Sequence, residues 1–172
     1  MKICLYAVAF VLLAVPALAQ SNLVVNIPGD NTCSTAKGEP GFNALAWSTG
    51  GSDAGTVIKT GVVNLQSLNI TKNMDACSEK LIKDFLSGTL IPSMTLIQYQ
   101  NSAAGPYAAA TVTLTNTYVS SWQVSGAASY LPTESVSFTF GKMCVATISL
   151  SATGQQQAPQ KVCYDAVNRI VS

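Results

Sequence analysis

Histidine is missing from all 172 positions, which removes the Ser-His-Asp and Cys-His constellations along with the commonest general base and the commonest metal ligand. Charged residues make up only 10% of the chain, against about a quarter in an ordinary globular protein. Nine Lys and Arg face eight Asp and Glu, so no excess of one sign points to nucleic acid, an anionic membrane or a highly charged partner. The five cysteines include no CxxC pair, and without histidine no mixed zinc set can be assembled, so no metal is expected. The glycine-rich run 50–55, GGSDAG, lacks the lysine and spacing of a phosphate-binding loop and reads as a flexible connection. Neither an internal repeat nor a dividing linker is visible. Asp75, Glu79 and Asp84 stand on or beside one predicted helix with Lys72, Lys80 and Lys83, where capping and solvated ion pairs account for them. No catalytic residue and no cofactor are expected. A two-carboxylate hydrolase is the enzyme reading that composition leaves standing.

Long apolar runs are scarce as well. The chain opens MKICLYAVAFVLLAVPALA, with Lys2 as a charged start, an apolar run over 3–15 and Ala17-Leu18-Ala19 as a small-x-small cleavage signal. That run falls short of the roughly 18 to 20 residues needed to span a bilayer, so residues 1–19 read as a cleavable export signal rather than a stable anchor. Cys4 leaves with it. The mature chain, 20–172, then carries eight charges of each sign, has the length of one domain with room for a core, and is expected to be secreted or periplasmic.

Four cysteines remain, Cys33, Cys77, Cys144 and Cys163, and an even count in an exported chain reads as a disulfide framework with three connectivities. Two predicted strands, 145–150 and 161–164, flank the polar loop 151–160 and place Cys144 nearly opposite Cys163. The pairing Cys33 with Cys77 follows by elimination.

Period-two alternation dominates the mature chain. Val136, Phe138 and Phe140 point one way while Ser135, Ser137 and Thr139 point the other. Further strands are predicted over 23–27, 42–48, 62–71, 94–99, 107–115 and 118–124, separated by turns at Pro28-Gly29-Asp30, Gly50-Gly51, Gly105-Pro106, Gly126 and Pro132. Between two of them lies one helix, with Asp75 as its N-cap, Cys77, Leu81, Ile82, Phe85 and Leu86 as its apolar stripe and Gly88 as its stop. The stripe is expected to pack on the sheet. This is a mainly β domain, a sandwich or barrel with one flanking helix.

The segment GVVNLQSLNITKNMDACSEKLIKDFLSG at 61–88 and LPTESVSFTFGKM at 131–143 resemble the Hcp family, the haemolysin-coregulated tube proteins of type VI secretion. The likeness runs in order from about residue 23 to 169. It includes FNALAWSTG at 42–50, then Lys72 and Asp75 leading into the helix, Ser78, Leu81 and Gly88 on it, and Pro132, Glu134, Val136, Phe140 and Lys142 in the late segment. Tyr164-Asp165 and Asn168-Arg169 resemble the closing strand. The resemblance implies a compact antiparallel β-barrel of two sheets with one flanking α-helix, a non-enzymatic subunit, homohexameric rings that stack into a tube, and effector proteins carried in the lumen. It also implies that the loop 48–60, beginning Ser48, Thr49, Gly50, Gly51, Ser52 and Asp53, reaches the neighbouring ring. An export signal and cysteines depart from tube subunits that assemble in the cytoplasm. The other reading is a monomeric secreted β-barrel module that binds a glycan or protein ligand through its loops.

Overall fold

The computed structural model describes residues 23–29, 32–35, 38–53, 63–102 and 105–172. The predicted export signal at 1–19 and the second half of the loop 48–60 lie outside the described residues. Among the described residues eleven strands and one helix follow in order: β1 (Leu23–Asn26), β2 (Gly41–Asn43), β3 (Ala46–Ser48), β4 (Gly51–Asp53), β5 (Val63–Leu65), β6 (Leu68–Asn73), α1 (Ser78–Ser87), β7 (Ile91–Ser102), β8 (Gly105–Ser125), β9 (Thr133–Thr147), β10 (Gln160–Asp165) and β11 (Ile170–Val171).

Alternation of apolar and polar residues explains the main strands. In β6 Leu68, Ile70 and Lys72 are buried, and in β9 Glu134, Val136 and Phe138 are, so one parity of each strand faces the core. Partners on β1, β7 and β8 close that core around Val25, Met94, Leu96, Val112 and Leu114, with Phe42 and Leu81 against them. All pairings are antiparallel, running β11-β10-β9-β8-β7-β1-β2, with β6 between β9 and β3 and a separate β4-β5 ribbon. β9 pairs with β8 along its length and, on its other side, with β6 over its first half and β10 over its second. The two sheets are thus unequal, nine strands and two, because the 21-residue β8 and 15-residue β9 serve both ends of the larger one. No lateral pair joins β2 to β3 among the described residues. Instead the backbone between them reaches both ways, Ala44 N–H to Leu23 O at 3.0 Å and Leu45 N–H to Thr71 O at 2.8 Å. Among the described residues the laterally paired strands do not close into a barrel, and residues 41–48 bridge the gap.

Several boundaries differ from the sequence expectations. The expected strand 42–48 breaks at Ala44 and Leu45, where the chain changes neighbours. Strands expected at 107–115 and 118–124 are one strand, since Asn116, in a left-handed conformation at φ 52°, interrupts the ladder opposite Gly141 without ending it. Gly51–Asp53, expected as a flexible connection, is β4 and pairs with β5.

The helix ends where glycine permits it: Gly88 adopts φ 62°, and its N–H turns back to the last-turn carbonyls. Its N-cap is Cys77, with no side-chain cap bond, and not Asp75. Asp75 sits two residues upstream, where its Oδ1 accepts the Cys77 N–H at 2.9 Å. The buried face is also rotated from the expected stripe. Cys77, Ser78, Leu81 and Asp84 are buried, whereas Phe85 is 37% and Leu86 77% exposed. Asp84 can turn inward because Lys80 Nζ donates to its Oδ2 at 2.6 Å, which frees the outer apolar positions from packing duty.

Candidate assembly surfaces and the buried ion cluster

Parity places Lys72 on the core face of β6 and Glu134 on the core face of β9, and the register sets them directly opposite each other. Both side chains are wholly buried. Lys72 Nζ donates to Glu134 Oε1 at 2.7 Å, to Asp75 Oδ1 at 2.7 Å, to the Asn73 carbonyl at 2.8 Å and to Ser78 Oγ at 3.3 Å. Ser78 Oγ donates to Glu134 Oε1 at 2.7 Å and accepts the Asp75 N–H at 3.0 Å, while Trp122 Nε1 donates to Glu134 Oε2 at 2.8 Å. The ammonium also lies 5.4 Å from the Phe42 ring centroid. Burial by itself pushes the Glu134 carboxyl up. Bonds from Lys72, Trp122 and Ser78, with the Lys72 charge, outweigh it and hold the carboxyl below its ordinary value of 4.5. These are not the solvated ion pairs that charge spacing on the helix suggested. The cluster locks β6, β8, β9 and the start of α1 together, a structural role in which every polar atom named has a partner.

The structure joins Cys33 to Cys77 and Cys144 to Cys163. Cys144 and Cys163 are register partners with Cα atoms 4.0 Å apart. Cys163 spends its backbone bonds on the other side, exchanging N–H and C=O with Ser172 at 2.8 and 3.0 Å, so the bridge occupies a rung that carries no hydrogen bond to β9. Cys33 anchors the loop between β1 and β2 through its carbonyl, which accepts the Gly41 N–H at 3.2 Å, and its bridge fastens that loop to the first turn of α1. In the chain-entropy view, closing loops of 44 and 19 residues stabilises the fold by about 4 and about 3 kcal/mol.

Of the residues predicted for ring contact, Ser48 ends β3, Thr49 Oγ1 donates to Gln66 O at 3.2 Å, and Gln66 N–H donates to Gly50 O at 2.8 Å. Gly51, Ser52 and Asp53 form β4, exposed throughout, in a two-stranded ribbon that leaves the main sheet. The sheet also keeps strand edges without a partner strand among the described residues. They include β11, the outer sides of β2 and β3, and β8 beyond Thr117, which pairs with β9 but no longer with β7.

A groove of about 520 Å³ runs beside α1, lined by Thr32, Ala76, Glu79, Lys80, Lys83 and Asp84 among others, with the Lys80–Asp84 pair in its lining. Asp165 accepts N–H bonds from Asn168 and Val167 and a side-chain bond from Asn168, which keep its carboxyl low and shape the turn into β11. No group of three or more Cys, Asp or Glu able to hold a metal occurs among the described residues, and no described helix is long and apolar enough to cross a membrane.

Comparison with known families places residues 21–146 on the family described as type VI secretion system effector, Hcp. No curated protein matches the chain. Among solved structures, one titled as a type six secretion system protein superposes with a TM-score of 0.78 at 19% identity, covering 87% of this chain and 98% of that one. Hcp1 from Salmonella typhimurium follows at 0.70 and 20% identity, covering 87% of this chain and 97% of its own. A type VI secretion system effector from Yersinia pestis gives 0.66 at 17% identity, covering 83% and 98%. At such identities the structures speak to the fold, and they share it almost from end to end.

Proposed function

Because this chain belongs to the Hcp family of type VI secretion effectors, we propose that it is a non-enzymatic structural subunit that assembles with copies of itself into closed rings of six. The observation that carries the reading is that the fold covers 98% of a type VI secretion protein. Two features support self-association. A surface poor in charge lets repeated contacts form with few ions to desolvate, and unpaired strand edges gain partners when a ring closes. The β4-β5 ribbon, with Ser48, Thr49 and Gly50 leading into it and Gly51, Ser52 and Asp53 forming its first strand, would contact the next ring, and effector proteins would occupy the lumen. The monomeric binding module has no observation in its favour over the family match.

Residues 1–19 are proposed to direct export and to be removed, giving a secreted or periplasmic protein. The family match supports this by beginning only at residue 21. N-terminal sequencing of the native product should read from Gln20, and retention of Met1 on cytoplasmic protein would overturn export. Light scattering and negative-stain images of the mature protein should show a ring about six times the subunit mass. A monodisperse monomer at high concentration would rule the ring out.

A further inference from the structure

The Cys33–Cys77 bridge and the buried ion cluster meet at one short stretch of chain. Cys77 is the N-cap of α1 and lacks the side-chain acceptor that Ser, Thr or Asp would supply, so the helix start is held from outside. Its own N–H donates to Asp75 Oδ1, the same oxygen that receives Lys72 Nζ. The next residue, Ser78, carries the hydroxyl that links Asp75 N–H to Glu134. The bridge thus fixes the two residues whose positions complete the coordination of a fully buried ammonium. Both of its cysteines are buried, at 3% and 2% exposure.

We propose that Cys33–Cys77 is a redox latch on the Lys72–Glu134 cluster. Oxidised, it holds the first turn of α1 against β6 and β9. When a small dithiol reduces it, one thiolate of the reagent attacks a bridge sulfur and displaces the other cysteine as a thiolate, which takes a proton from water. The second reagent thiol, as its thiolate, then attacks the reagent sulfur of the mixed disulfide and breaks its bond to the remaining cysteine. That cysteine leaves as a thiolate and is protonated, giving two cysteine thiols and a cyclic disulfide of the reagent. Freed from the β1–β2 loop, the helix start opens, Asp75 and Ser78 withdraw, and water reaches Lys72 and Glu134 while the sheet stays folded. The cluster is then complete only in an oxidising compartment. This inference concerns the single subunit and stands whether or not rings form.

The two tryptophans give the protein its own reporter and control. Trp122 Nε1–H is bonded to Glu134 inside the cluster, whereas Trp47 Nε1–H is bonded to Gln98 Oε1 on β7 at 3.1 Å, outside the cluster's hydrogen bonds. Hydrogen exchange of both indole protons should be followed by NMR in the mature protein and in C33A/C77A, which keeps the other bridge. The same measurement in C144A/C163A, before and after dithiothreitol, isolates reduction of the Cys33–Cys77 bridge. Opening it by either route should speed Trp122 exchange by about tenfold or more and leave Trp47 within about threefold, as local opening requires. Equal acceleration of both protons, including through global unfolding, would make the bridge a general staple and overturn the latch. Unchanged Trp122 exchange would overturn it as well.

Discussion

Replacing Lys72 by Met should cost about 3 to 5 kcal/mol of folding stability at pH 7, the expected result of leaving a buried carboxylate without its cation. Glu134 would keep Ser78 and Trp122 as donors but lose the Lys72 charge. Removing the anion instead should cost less, because in E134L the ammonium retains Asp75, which is 44% exposed and partly hydrated, and the Asn73 carbonyl. The double variant K72M/E134L should be more stable than K72M alone, since two apolar side chains of similar volume leave no buried charge.

The pH dependence carries the sign of the same argument. In the intact protein Glu134 titrates below its ordinary 4.5, so its contribution is fully present above that value and is lost as the pH falls through the lower value in the fold. In K72M burial acts with less opposition and lifts the carboxyl, so that variant gains relative stability on acidification. The gap between the two should therefore be widest near neutral pH and narrow toward pH 4 and below, as read by urea denaturation at each pH. A K72M penalty under about 1 kcal/mol, or one that stays constant with pH, would show that the cluster is solvated after all.

Much of this fold is legible in the sequence, and the misses share a cause. Val136 and Phe138 alternate cleanly with serines, so the core face of β9 follows from period two, and the same parity carries Glu134 inward with them, as it carries Lys72 inward with Leu68 and Ile70. Charge spacing sets Lys72 beside Lys80 and Lys83, but its strand neighbours decide its environment. The family resemblance marked Lys72, Asp75, Ser78 and Glu134 as pattern positions but did not reveal that one ammonium gathers them. The helix stripe failed for a tertiary reason: a paired Asp84 takes an inner position and Phe85 the rim, and apolar spacing alone cannot foresee that exchange. The break at Ala44 and Leu45 depends on which strands lie to either side, information a single strand pattern does not hold. Ring contacts belong to a second molecule, so a single chain's core pattern is silent about them.

Replacement of Gly41 should be among the most damaging in the chain. It sits opposite Asn26 in the β1–β2 pair with φ at 137°, a backbone region that disfavours any side chain. A Cβ there would lie 1.9 Å from the Val25 carbonyl oxygen and 2.9 Å from Asn26 Cα, and both obstacles are backbone atoms that no rotamer change can move aside. Relief requires β2 to part from β1, and that displaces Phe42, 1% exposed in the core, together with the Gly41 N–H bond to Cys33. Backbone strain and overpacking of about 1 to 3 kcal/mol each place G41A at about 3 kcal/mol or more of lost stability. Gly29 supplies the control, for it too has positive φ, at 82°, but nothing stands within 4 Å of its added Cβ. G29A should therefore cost only the backbone term, about 1 kcal/mol. Equal penalties in the two variants by thermal or urea unfolding would mean that conformation, not the approach of β1 to β2, sets the requirement for glycine at position 41.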